Sequence, residues 1–77
     1  MKELMAQIST FLGDHAKEVG KTGTAEIEII VEDRNKIPKL SEDLKNHIVE
    51  IGGENTLAKI NFKDGKGVLV DSFSLTQ

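Results

Sequence analysis

The chain lacks cysteine, tryptophan and tyrosine, and it contains one proline and three phenylalanines in 77 residues. Without cysteine it can form no disulfide, no thiolate metal site and no cysteine nucleophile. With so few aromatic rings it has little to stack on nucleic-acid bases. A core of aliphatic side chains in so short a chain supplies only about 3–5 kcal/mol of stability, so a metal without thiolate ligands and oligomerisation are the other usual sources of support.

Arginine and long apolar runs are also scarce. Arg34 is the only arginine among ten basic residues, and the formal net charge is −3. Bidentate recognition of phosphate or guanine therefore has a single candidate. No apolar run approaches the length of about 18 residues that a membrane span needs. We predict one domain over residues 1–77, located in the cytoplasm and not in a membrane.

The first third of the chain predicts a helix and then a strand. Residues 2–19 carry apolar side chains at the three- and four-residue spacing of one helical face. Residues 20–23, Gly-Lys-Thr-Gly, are predicted to end this helix and to turn the chain. Residues 24–32 alternate apolar and mostly acidic side chains, which is typical of a strand with one buried face.

A second amphipathic helix is predicted after a polar connection at residues 33–36. Pro38 suits the first helical turn, where its missing N–H costs nothing. Gly52 and Gly53 are predicted to stop the helix. Its apolar face comprises Ile37, Leu40, Leu44, Ile48 and Ile51.

The last third predicts a β-hairpin, because two β-type runs flank Asp64-Gly65. A two-residue turn would pair Ile60 with Leu69. A three-residue loop with Gly65 in a bulge would pair Ile60 with Val68 instead, and would separate two lysines that otherwise lie opposite each other. We favour the second register.

The element order is therefore αβαββ, which predicts a two-layer α+β sandwich. Two helices would pack on one face of a three-stranded, mainly antiparallel sheet. The apolar run 68–70 favours a central place for the last strand, with the strand order first–third–second and all neighbours antiparallel. The alternative order, first–second–third, requires the first two strands to pair in parallel.

The favoured hairpin register divides the strand side chains between two faces. The helix-covered face receives Ala58, Ile60, Phe62, Val68 and Val70. The opposite face retains a second apolar set, too large for a face exposed to water. That set is the predicted interface for a protein partner or a second copy, and its members are Ile30, Leu57, Leu69, Phe73 and Leu75.

No catalytic, cofactor-binding or metal-binding residue is predicted. His15 and His47 could meet if the helices packed side by side, but a metal would need a third ligand. Gly20-Lys21-Thr22 resembles the end of a phosphate-binding loop, yet His15 stands where that motif requires its first glycine. The glutamates of the first strand have no partner base and no pocket.

The leading functional hypothesis is a small non-enzymatic binding protein that self-associates or binds a protein partner through its sheet. The alternative is a nucleic-acid-binding or regulatory module that uses the lysine-bearing hairpin. A third is a small enzyme or metal-dependent protein that uses both histidines. The basic residues of the alternative are Arg34, Lys36, Lys59, Lys63 and Lys66.

Overall fold

The computed structural model describes residues 2–51 and 58–75. Its four-stranded mixed sheet has the order β1-β2-β3-β4, and the elements alternate as αββαββ. The α+β class with two helices is confirmed, whereas the three-stranded sheet and the αβαββ order are wrong. The elements are α1 (Lys2–Leu12), β1 (Glu18–Gly23), β2 (Glu26–Ile30), α2 (Ile37–Glu50), β3 (Ala58–Lys63) and β4 (Leu69–Leu75).

The first helix ends earlier than its apolar spacing predicts. Gly13 takes a positive φ of 54° and opens a short 3-10 turn, after which Ala16 is extended. The chain then forms β1, which pairs antiparallel with β2 from Glu18↔Ile30 to Gly23↔Glu26. The predicted helix over residues 2–19 is therefore wrong beyond Leu12.

The second helix follows its prediction closely where the structure describes it. It begins at Ile37 with Pro38 in the first turn, and Leu44 and Ile48 are fully buried. Just before it, Asp33 accepts a hydrogen bond from the N–H of Asn35 at 3.0 Å. The predicted stop at residues 52–53 lies outside the described residues.

The strand order corrects the favoured topology. Strands β2 and β3 pair in parallel, in register from Glu26↔Lys59 to Ile30↔Lys63, and β4 lies at the edge. This is the order that requires a parallel pair, with β1 added as a fourth strand. The prediction of a central last strand is therefore wrong. The apolar run that motivated it is not buried, since Val68 and Leu69 are 52% and 54% exposed.

The hairpin has neither predicted register. Ile60 pairs with Phe73 and Phe62 pairs with Asp71, and the ladder is irregular between Phe62 and Lys63. The connection spans residues 64–68, longer than either predicted turn. Val68 is consequently exposed rather than in the core, while Val70 is half-buried and packs against the core.

The core lies between the two helices and one face of the sheet. Ala58, Ile60 and Phe62 are buried there as predicted, with Ile27 and Ile29 beside them. Apolar residues at every third or fourth position of both helices close the other side. They are Leu4, Ile8 and Leu12 of α1 and Ile37, Leu44 and Ile48 of α2.

Two residues of the predicted outward apolar set belong to this core side instead. Leu75 is only 3% exposed and lies in the core cluster. Phe73 packs partly against the same cluster, with its ring centroid 6.3 Å from that of Phe62. Leu57 lies outside the described residues.

Neither helix formed by the described residues is long and apolar enough to cross a membrane.

Candidate functional site

The sheet face turned away from the helices is the candidate site, and we call it the outer face. Its side chains alternate with the buried ones, and cross-strand pairing arranges them in rows across the sheet. One row contains Glu18, Ile30, Lys63 and Leu69, and the next contains Gly20, Glu28, Asn61 and Ser72. A third contains Glu26, Lys59 and Ser74.

Only part of the predicted apolar interface lies on this face. Ile30 is half-buried on β2, and Leu69 is exposed at the start of β4. Both lie in the same row, at one end of the sheet. The outer face is therefore polar across most of its width, with an apolar margin at one end.

The centre of the outer face is a partly dehydrated polar cluster. The Lys63 Nζ lies 3.2 Å from the Glu28 Oε1, and the two side chains are only 34% and 24% exposed. Beside them, the Oδ1 of Asn61 is shielded from solvent and has no hydrogen-bond partner among the described residues. A shielded acceptor without a donor costs about 1–3 kcal/mol, so the polar groups of this cluster are not fully satisfied within the described residues.

Charge divides the outer face into two halves. The half formed by β1 and β2 carries three carboxylates and no lysine, whereas the half formed by β3 and β4 carries two lysines and no carboxylate. The line between them runs along the parallel β2–β3 pair. The acidic residues are Glu18, Glu26 and Glu28, and the basic residues are Lys59 and Lys63.

The β3–β4 loop is built around the buried carboxylate of Asp64. Its Oδ1 accepts the N–H of Lys66 at 2.9 Å and the N–H of Val68 at 3.0 Å. Its own N–H donates to the Val68 carbonyl, and its carbonyl accepts the N–H of Gly67, which has a φ of 83°. Such side-chain-to-backbone bonds stabilise a turn without a ladder, which explains why the loop exceeds the predicted length.

These bonds hold the pKa of Asp64 below its ordinary value of 3.8, chiefly through the Val68 N–H. Burial opposes that shift. The Lys66 N–H and the positive charges of Arg34 and Lys66 reinforce it. Because the folded pKa is lowered, the folded state binds fewer protons than the unfolded state, and the carboxylate stabilises the fold above its ordinary pKa.

Asp64→Asn is therefore expected to be less stable than the wild type at pH 7. The difference in unfolding free energy between the two proteins should shrink as the pH falls below about 4. The wild-type carboxylate then takes up a proton and is uncharged, like the asparagine side chain. Urea denaturation at several pH values between neutral and acidic measures both curves. Lys66→Ala keeps the backbone donor and should show a smaller loss. A difference for Asp64→Asn that did not change with pH would contradict the role of the charge.

The two histidines do not come together. His15 borders a groove of about 360 Å³ that also involves Lys17 and Asp33. His47 stacks on the ring of Phe11, with centroids 4.4 Å apart and planes 17° apart, and lines a different groove with Ile51. No group of three potential metal ligands is found among the described residues.

The basic residues of the hairpin are interleaved with acids. Lys63 contacts Glu28, and Lys59 lies in register beside Glu26. Arg34 and Lys66 border a groove of about 370 Å³ that also contains Glu32 and Asp64. Within residues 2–51 and 58–75, these basic side chains therefore do not form a continuous basic edge.

Two further sequence candidates have other places in the fold. Gly20-Lys21-Thr22 lies within strand β1, not before a helix as in a phosphate-binding loop. Glu32 lies beyond β2, where its exposed Oε1 is 3.5 Å from the Lys17 Nζ.

Asn61 and the lysines beside it are the site residues that the apolar pattern overlooked. The alternation in 58–63 had already placed them opposite Ile60 and Phe62, so the signal was present in the sequence.

Comparison with protein-family models, with curated protein sequences and with solved structures finds no significant match to this chain.

Proposed function

We propose that the protein is a small, non-enzymatic, cytoplasmic binding protein that engages another protein surface through the outer face of its sheet. The observation that carries the proposal is the polar cluster at the centre of that face. Glu28 and Lys63 are paired there and have lost part of their hydration, and the Oδ1 of Asn61 has no donor among the described residues. No helix formed by the described residues covers this face.

Partial desolvation is what makes this cluster suited to binding. The Glu28 and Lys63 side chains have already lost most of their water in the isolated chain. A partner that covers this ion pair therefore removes less hydration than it would from fully exposed charges. Ile30 and Leu69 add apolar area at one margin, as in interfaces that combine apolar and polar contacts.

Catalysis has less support from the same geometry. His15 and His47 line separate grooves, so they cannot act together on one substrate. The half-buried glutamate of the outer face is neutralised by a lysine at 3.2 Å rather than poised to transfer a proton. Recognition, rather than reaction, is the chemistry that these groups favour.

Site-specific photo-crosslinking tests the proposal. A photo-reactive amino acid replaces Ser72 on the outer face in one variant and Glu42 on the exposed side of α2 in another. After irradiation in the host cells, we expect a defined protein adduct from position 72 and none of that mass from position 42. Equal adducts from both positions, no adduct from position 72, or adducts to nucleic acid alone would contradict the proposal.

A further inference from the structure

We infer that the outer face binds a second copy of this chain, with the two sheets packed face to face about a two-fold axis parallel to the strands. This inference rests on the proposed function and names its partner. The evidence is that the outer face is complementary to itself in charge, and that the β2–β3 register brings opposite charges together under this symmetry.

The parallel register determines which residues meet. Glu26, Glu28 and Ile30 lie beside Lys59, Asn61 and Lys63, respectively, at the same heights along the sheet. An axis that runs parallel to the strands, above the line between β2 and β3, exchanges the two strands and preserves height. Each outer residue of β2 in one copy then faces, in the second copy, the β3 residue with which it is in register.

The resulting contacts are complementary. Glu26 faces Lys59 of the second copy, and Glu28 faces the amide of Asn61 there, next to Lys63. The acidic half of each sheet thus covers the basic half of the other. A two-fold axis across the strands would instead place the acidic halves on each other, which like-charge repulsion disfavours.

The dimensions also permit this packing. Sheets pack about 10 Å apart, a gap that glutamate and lysine side chains fill from both sides. The four strands are only five to seven residues long. The interface is therefore near the small end of specific interfaces, so we expect a weak dimer that dissociates as salt is added.

A charge-exchange experiment tests this symmetry. Sedimentation equilibrium from about 1 μM to about 1 mM should show a reversible wild-type dimer, because small interfaces give affinities in this range. Glu26→Lys and Lys59→Glu should each weaken that dimer at least about tenfold, since each replaces the attraction between these two positions by a repulsion in both halves. Mixed in equal amounts, the two variants should form a heterodimer, because Lys at position 26 of one variant then faces Glu at position 59 of the other.

Matched controls reverse the same charges away from the interface. Glu42→Lys and Lys45→Glu lie on exposed positions of α2 and should dimerise like the wild type. If a single reversal at 26 or 59 unfolds the chain, as circular dichroism would show, the double variant Glu26→Lys/Lys59→Glu restores both partners and should dimerise again.

The outcomes separate this inference from the proposed function. A strictly monomeric wild type, or a mixture that fails to form a heterodimer, would overturn the self-complementary dimer. If position 72 then still crosslinks to a different protein, the proposed function stands and only the identity of the partner changes. A monomer without any crosslink from position 72 would overturn both.

Discussion

Replacing Phe62 by alanine is expected to leave most of the protein unfolded at room temperature. Phe62 is fully buried between the sheet and the helices. Removing a buried phenyl ring costs about 3–5 kcal/mol, through lost burial and the cavity that remains. A single core in a chain of this length supplies about the same amount, so little net stability is left. Urea denaturation followed by circular dichroism measures the loss.

Phe11→Ala is the matched control, since it deletes the same ring from the surface of the helical layer. Phe11 is 39% exposed and stacks on His47. Losing a stacked pair of this kind costs about 0.5–1.5 kcal/mol. Equal losses for the two variants, or a wild-type midpoint for Phe62→Ala, would show that the core does not lie where the sheet and helices enclose it.

The buried face of the strands is the part of the fold that the sequence predicts best. Ile27 and Ile29 on β2, and Ile60 and Phe62 on β3, alternate with polar residues and are buried as expected. Alternation with a period of two is a local property, because it needs only one strand and one covered face. The same reasoning predicts the polar side of these strands.

Register and strand order are not local, and both predictions about them are wrong. The β3–β4 loop depends on one carboxylate that bonds to the N–H groups of Lys66 and Val68, which no dipeptide preference reveals. The irregular ladder then turns Phe73 and Leu75 toward the helices. Ile60 pairs with Phe73 instead of Val68, a shift of five residues, and a shift by an odd number of residues moves a strand's side chains to the opposite face.

Strand β1 was missed because its sequence has little strand character. It contains Gly20 and Gly23, and glycine weakens a strand while favouring turns. Ala16 and Val19 also continue the helical spacing of α1, although both pack against the core from beyond the helix. A positive φ at Gly13 ends the helix. The sequence alone does not distinguish a glycine that ends a helix from one that is tolerated inside it.

The central contact of the candidate site depends on the strand order. Alternation alone places Glu28 on the outer side of β2 and Lys63 on the outer side of β3. Their contact at 3.2 Å requires β2 and β3 to be neighbours. The favoured antiparallel order would have inserted the last strand between them. The parallel crossover through α2 therefore creates both the ion pair and the divided charge of the outer face.

Ile48→Ala is expected to destabilise the protein by about 2–5 kcal/mol, the usual cost of truncating a buried isoleucine. Ile48 is almost fully buried on the face of α2 that covers the sheet. Alanine favours the helix slightly more than isoleucine, so a loss reports packing rather than helix propensity. Thermal or urea denaturation gives the difference.

Ile51→Ala is its control, because it makes the same substitution three residues further along, just after the helix. Ile51 is 42% exposed although the helical pattern assigns it to the same apolar face. We expect its loss to be well below that of Ile48→Ala, since it removes less buried area. Comparable losses would mean that α2 continues over the sheet past Glu50 and buries Ile51 as well, which would extend the covered side of the sheet without altering the outer face.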